Sequence, residues 1–106
     1  MASPISPQMS EYQITRWREL PSMVTARSGE EVSKISLSNR FQEAIDEAAM
    51  RLGDIDADAY MNGWGRDAWV EMDGSPSDVA AAVALSLENE FSEEKIKTIL
   101  DQLGAN

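Results

Sequence analysis

Cysteine and histidine are both absent from this 106-residue chain. Their absence removes thiol nucleophiles, imidazole general bases, serine–histidine triads and the usual zinc sites. Any proton transfer would fall to carboxylates, arginine, lysine, tyrosine or serine, so the chain is expected to have no catalytic residues. Glycine is sparse as well, and Gly53, Gly63 and Gly65 match neither a dinucleotide fingerprint nor a phosphate-binding loop, which need other spacings and a following lysine. No cofactor and no metal are expected. Long apolar runs are missing: the longest, residues 79–85, is about a third of a membrane span. Residues 1–10 hold neither a basic leader nor an apolar stretch. A cytoplasmic protein is the expectation.

Positive charge is scarce in one half only. Residues 1–51 carry six Arg/Lys against seven Asp/Glu, whereas residues 52–106 carry three against twelve, within a net charge of -10. An acidic C-terminal half repels phosphate backbones and anionic lipid, so neither nucleic acid nor a membrane is expected as a partner. A hydrophobic content of 42% is enough for one domain to bury a core without disulfides or metals.

The pattern along the chain predicts a flexible tail over residues 1–10, with Pro4 and Pro7 among serines, and a single α+β domain over residues 11–106. Weak alternation predicts strands over residues 12–18, 23–27 and 32–37, with Pro21 interrupting any helical reading of the first and Ser28-Gly29-Glu30 forming a turn. Asn39 and Gln42 have the spacing of a capping box, and Phe41, Ala44, Ile45, Ala48, Ala49 and Leu52 recur at helical intervals up to Gly53. Glu47 and Arg51 are placed for an i,i+4 pair on the solvent side.

Asn62-Gly63 between Tyr60-Met61 and Trp64-Gly65 predicts a two-residue hairpin. A strand over residues 68–72 follows. Ser75-Pro76-Ser77-Asp78 opens a helix whose apolar stripe, widened by Ala80, Ala81, Ala84 and Leu85, predicts burial on more than one side. A last helix carries Ile96, Ile99, Leu100 and Leu103 on one face, with Gly104 past its end, so Ile99 and Leu103 are expected in the core. The sum is an antiparallel sheet of about four strands with three helices, mainly on one face. A ferredoxin-like order is one of several compatible arrangements.

Three motifs carry the functional expectations. Asp54, Asp56 and Asp58 have the opening spacing of a calcium loop, but Ala59 stands where its glycine belongs and Gly65 where its bidentate glutamate belongs, which leaves a solvated acidic loop. Trp64 between Gly63 and Gly65 offers an indole beside close-approaching backbone. Arg16, Arg18, Arg27 and Arg66 suit carboxylates, either within this acidic chain or on a partner. Arg16, Arg18, Asp58, Tyr60, Trp64 and Arg66 are the candidate ligand- or partner-binding residues.

Trp17-Arg18-Glu19-Leu20-Pro21 with Val24, then Arg40-Phe41-Gln42-Glu43-Ala44-Ile45-Asp46-Glu47-Ala48-Ala49-Met50-Arg51, then Asp58-Ala59-Tyr60, together resemble the bacterial virulence factor domain family. Its members are short free-standing proteins or the N-terminal part of a conserved virulence factor that continues into HEAT-type repeats. The resemblance implies a cytoplasmic bacterial protein with no assigned reaction, sometimes joined to a protein-binding scaffold. The acidic loop and Asn62-Gly63-Trp64-Gly65 depart from the pattern. The function expected is a non-catalytic protein-interaction or accessory module with a protein partner or a second copy of itself. The alternative is a small anionic-ligand-binding protein or enzyme with an Arg/Asp/Tyr pocket. In a regular strand Trp17 points away from Arg16 and Arg18, so Trp17 is expected in the core.

Overall fold

Three amphipathic segments joined by two-residue turns become an antiparallel meander: β1 (Met9–Trp17), β2 (Leu20–Ser28) and β3 (Glu31–Ser36). The structure is a computed structural model that describes residues 9–53 and 56–103. β1 starts earlier than the expected Glu11, because Ser10 is buried and its hydroxyl donates to the Gly74 carbonyl at 2.7 Å. Met9 and Ser10 therefore belong to the sheet, and the rest of the expected tail, residues 1–8, lies outside the described residues.

Pro21 lies second in β2, opposite Arg16, where the β1–β2 ladder shifts register between Thr15 and Arg16. A residue without an N–H is tolerated at such an irregularity. Gly29, at φ 60, closes the second hairpin.

α1 (Asn39–Leu52) buries Phe41, Ala44, Ile45, Ala48 and Ala49, and Gly53, left-handed at φ 77, donates to the Ala49 and Met50 carbonyls. Its N-cap is Ser38 rather than Asn39, and no side chain caps it. The Ser38 hydroxyl and amide instead donate to Glu88, at 2.9 and 2.7 Å, while Gln42 donates to Asp46 at 3.0 Å. A carboxylate brought in from a later helix thus displaces the capping box.

Residues 56–66 overturn the expected hairpin. They form a short helix, α2 (Ala57–Asn62), followed by β4 (Trp64–Arg66). The Asp56 carboxylate accepts from the Ala59 amide at 2.8 Å and caps α2, and Asp58 in the first turn complements the helix dipole. Asp56 thus serves as a helix cap, and Asp54 lies outside the described residues.

β5 (Val70–Asp73) and then α3 (Pro76–Glu90) and α4 (Glu93–Leu103) complete the chain. Ser75 caps α3 as its sequence requires, accepting from the Asp78 amide at 3.2 Å. The buried stripe of α3 is single: Pro76, Val79, Ala80, Val83, Ala84 and Leu87 face inward, while Ala81, Ala82 and Leu85 face water. The surplus apolar residues do not bury a second side. In α4 only Ile96 is buried; Ile99, Leu100 and Leu103 are half-buried against the core, and Gly104 lies outside the described residues.

The sheet order is β3-β2-β1-β4, with β5 pairing to the N-terminal half of β1 and β4 to its C-terminal end. β4 and β5 are one lane broken at residues 67–69. α3 packs across β1, β2 and β3, α1 packs on β2, and α4 packs on α1. Tyr12, Ile14, Val24, Ala26 and Ile35 form the helix-facing side, and cross-strand pairing places Glu11, Gln13, Thr25, Arg27 and Lys34 on the other. The fold is α+β. It is not ferredoxin-like, since β1 to β3 follow one another with no helix between them.

Candidate functional site

Aromatic rings gather where β1, α2 and β4 meet. Trp17 is fully buried, and its indole Nε1 donates to the Tyr60 carbonyl at 2.8 Å. The Trp17 and Tyr60 rings stack with centroids 5.8 Å apart, and Tyr60 meets Trp64 edge to face at 6.1 Å. Trp64 also pairs with Trp17 across the β1–β4 ladder. Tyr60 and Trp64 are therefore half-buried parts of a packed cluster, and the Tyr60 hydroxyl lies 3.4 Å from the Gln42 amide nitrogen.

Gly63 ends α2 with ordinary right-handed dihedrals, φ -76 and ψ -19. It is needed for space: a Cβ there would stand 2.5 Å from the Trp17 indole. The Asn-Gly pair therefore marks a close approach of backbone to ring, where the sequence pattern indicates a hairpin turn. Gly65 meets nothing within 4 Å.

The strand end is irregular in a way that alternation does not anticipate. Arg18 takes a left-handed conformation at φ 55, its amide donates to the Gly63 carbonyl at 2.7 Å, and its guanidinium lies 5.2 Å from the Trp17 ring centroid. Trp17 is in the core, yet Arg18 covers it.

Arg16 serves the inside of the molecule. Its Nε donates to Asp67 at 2.9 Å, and Asp67 occupies the break between β4 and β5, donating its own amide to Ile14 and accepting from the Gln13 side chain, each at 3.0 Å. Arg16 borders a crevice between the sheet and α3, with Tyr12, Met72, Val83 and Glu90. Arg66 instead pairs opposite Thr15, the neighbour of Arg16 on β1, and so projects from the opposite face. Asp58 is exposed on the first turn of α2. The candidates Arg16, Asp58 and Arg66 do not line one pocket.

Trp64 and Arg66 do come together, with Thr15, Met61 and Gly65, around an open, largely apolar cleft of about 590 Å³. Met61 is 63% exposed there. Among the described residues Arg66 has no carboxylate partner, whereas Arg27 pairs with Glu11, Arg40 with Glu88, and Arg51 with Glu47 and Asp101. Met61 is absent from the sequence-derived candidates; recognising Asp56 as a helix cap would have turned Tyr60 inward and Met61 outward.

One carboxylate is held with particular care. Burial alone would push the Glu88 carboxyl up, but the Ser38 amide and hydroxyl and the Arg40 guanidinium outweigh it and hold the group below the ordinary glutamate range. Arg40 also donates to the Glu88 and Phe91 carbonyls, both at 2.7 Å, which ties α1 to the end of α3. The arrangement is a clasp between α1 and the end of α3.

Comparison with curated proteins and with solved structures finds no match. The sequence model described as "Virulence factor" matches residues 15–100. That span runs from the second half of β1 into α4, beyond the helix and aromatic segments that carry the resemblance, and includes Trp17, Gly63 and the Ser38–Arg40–Glu88 clasp. The chain belongs to the virulence factor family.

Proposed function

We propose that the chain is a non-catalytic protein-interaction module of the bacterial cytoplasm that grips a protein partner at the cleft of Met61, Trp64 and Arg66. The cytoplasmic assignment rests on the family resemblance. The observation that carries the binding surface is an arginine without a carboxylate partner among the described residues, beside an exposed methionine and an indole, in a chain with nineteen acidic residues. Tryptophan, methionine and arginine are the residues over-represented at interface centres. The partner that fits presents an apolar side chain to Met61 and Trp64 and a carboxylate to Arg66. A pocket enzyme or anionic-ligand protein would need Arg16 and Arg66 on one wall, and they project from opposite faces of β1 and β4.

The test is capture of partners from a bacterial lysate by the intact chain, followed by calorimetry with the purified partner. Met61→Ser and Arg66→Glu both alter exposed side chains, and each is expected to weaken binding about thirtyfold or more. A captured partner whose affinity is unchanged by both substitutions would move the interface elsewhere.

A further inference from the structure

The two sheet edges differ. On one side β4 and β5 are three and four residues long and interrupted at Asp67. On the other, β3 runs unbroken from Glu31 to Ser36 with no proline, glycine or bulge, and leaves Val32 58% exposed. Edge strands are normally blunted by shortness, breaks, proline, bulges or charges because their free backbone groups invite pairing, and of these β3 carries only the charges Glu31 and Lys34. We infer that β3 is a pairing edge for a second copy of this chain, forming a two-fold antiparallel contact centred on Val32.

The sequence of β3 selects both the occupant and the register. With the two-fold axis at Val32, each Val32 stands against its counterpart, and Glu30 at the hairpin tip comes beside Lys34 of the other copy, twice. Val32 and Lys34 share the helix-free face of the sheet, opposite Arg27 and Thr25 of β2. Among the described residues neither Glu30 nor Lys34 has an ion-pair partner within the chain. Opposite charges directly across a ladder favour pairing and like charges oppose it. Moving the axis to Ser33 sets Val32 against Lys34, and moving it to Lys34 sets two ammonium groups face to face. Only the register centred on Val32 matches charge to charge and apolar to apolar. A contact confined to two short strands buries little area, so the association is reversible and depends on concentration.

Sedimentation of the full chain up to about 1 mM is expected to show a monomer–dimer equilibrium, weakened about tenfold by Glu30→Lys or Lys34→Glu alone and restored by the two together. Because the chain has no cysteine, Val32→Cys adds a single thiol that oxidation can join only to another molecule. Covalent dimer is expected to form faster from Val32→Cys than from Val70→Cys, a comparably exposed position on β5. Circular dichroism confirms that each variant is folded. A monomer at every concentration overturns the inference. So does a dimer indifferent to the charge reversals, failure of the paired reversal to restore it, or equal cross-linking at both thiols.

Discussion

Gly63 and Gly65 flank the same tryptophan and answer to different constraints. The indole of Trp17 fills the space where a Gly63 side chain would begin, and Trp17 is fixed by its bond to the Tyr60 carbonyl and by the stacked Tyr60 ring. Gly63→Ala is expected to cost about 1–3 kcal/mol through overpacking. Gly65→Ala, with open space around it, should stay within about 0.5 kcal/mol of wild type. Urea midpoints of the two variants check the contrast, and equal midpoints would mean that the ring moves aside freely. Glu88 supplies a pH signature. Its folded-state value lies below the ordinary 4.5, so its contribution is fully present above about pH 4.5 and is lost as pH falls through the depressed value. Glu88→Gln should flatten the stability profile in that acid window; a profile parallel to wild type would mean that Ser38 and Arg40 do not hold the carboxylate. Neither residue was legible as a structural anchor in the sequence, because the partners that define each lie far away along the chain.

Among the elements, α1 and α3 were legible because their signals are local. A glycine able to turn left-handed ends one, a serine with proline and an acid after it opens the other, and each carries a 3.6-residue stripe. α2 was illegible because Asn62-Gly63 suits a hairpin turn as well as a helix end, and the Asp56 cap together with the Trp17 ring decides between them. The same distinction between pattern and packing applies to α4. Its stripe is continuous, but α4 rests on α1 from outside, with Arg51 donating to the Leu100 carbonyl at 2.7 Å and to Asp101 at 3.3 Å. Ile96→Ala should therefore cost about 2–4 kcal/mol as a buried truncation, and Ile99→Ala and Leu103→Ala only about 1–2 kcal/mol each. Denaturant unfolding of the three variants checks the order. Equal losses would place the whole stripe in the core, as the periodicity alone implies. Of the candidate site, the sequence carried Trp64 and Arg66. Their union with Met61 required the helix that the sequence pattern does not reveal.

Charge is divided between layers over the whole molecule. The five strands carry Arg16, Arg27, Lys34 and Arg66 against Glu11, Glu31, Glu71 and Asp73, a net of zero, whereas the four helices carry four cations against ten acids. An acidic helical layer packed on a neutral sheet repels itself, and the ion pairs that offset the repulsion are largely exposed, such as Arg51–Glu47 at 2.9 Å. Exposed pairs of this kind contribute about 0–1 kcal/mol each. Unscreened repulsion across the helices is therefore the larger electrostatic influence on stability. Raising the salt concentration from about 10 mM to 0.5 M shortens the Debye length from about 30 Å to under 5 Å, which removes the long-range repulsion and leaves the close pairs partly intact. The melting temperature should rise by several degrees across that range, with the rise concentrated at the low-salt end, where screening changes most over molecular distances. Thermal unfolding followed by circular dichroism in sodium chloride measures it. A melting temperature that falls with salt would mean that the pairs joining the helices outweigh their mutual repulsion.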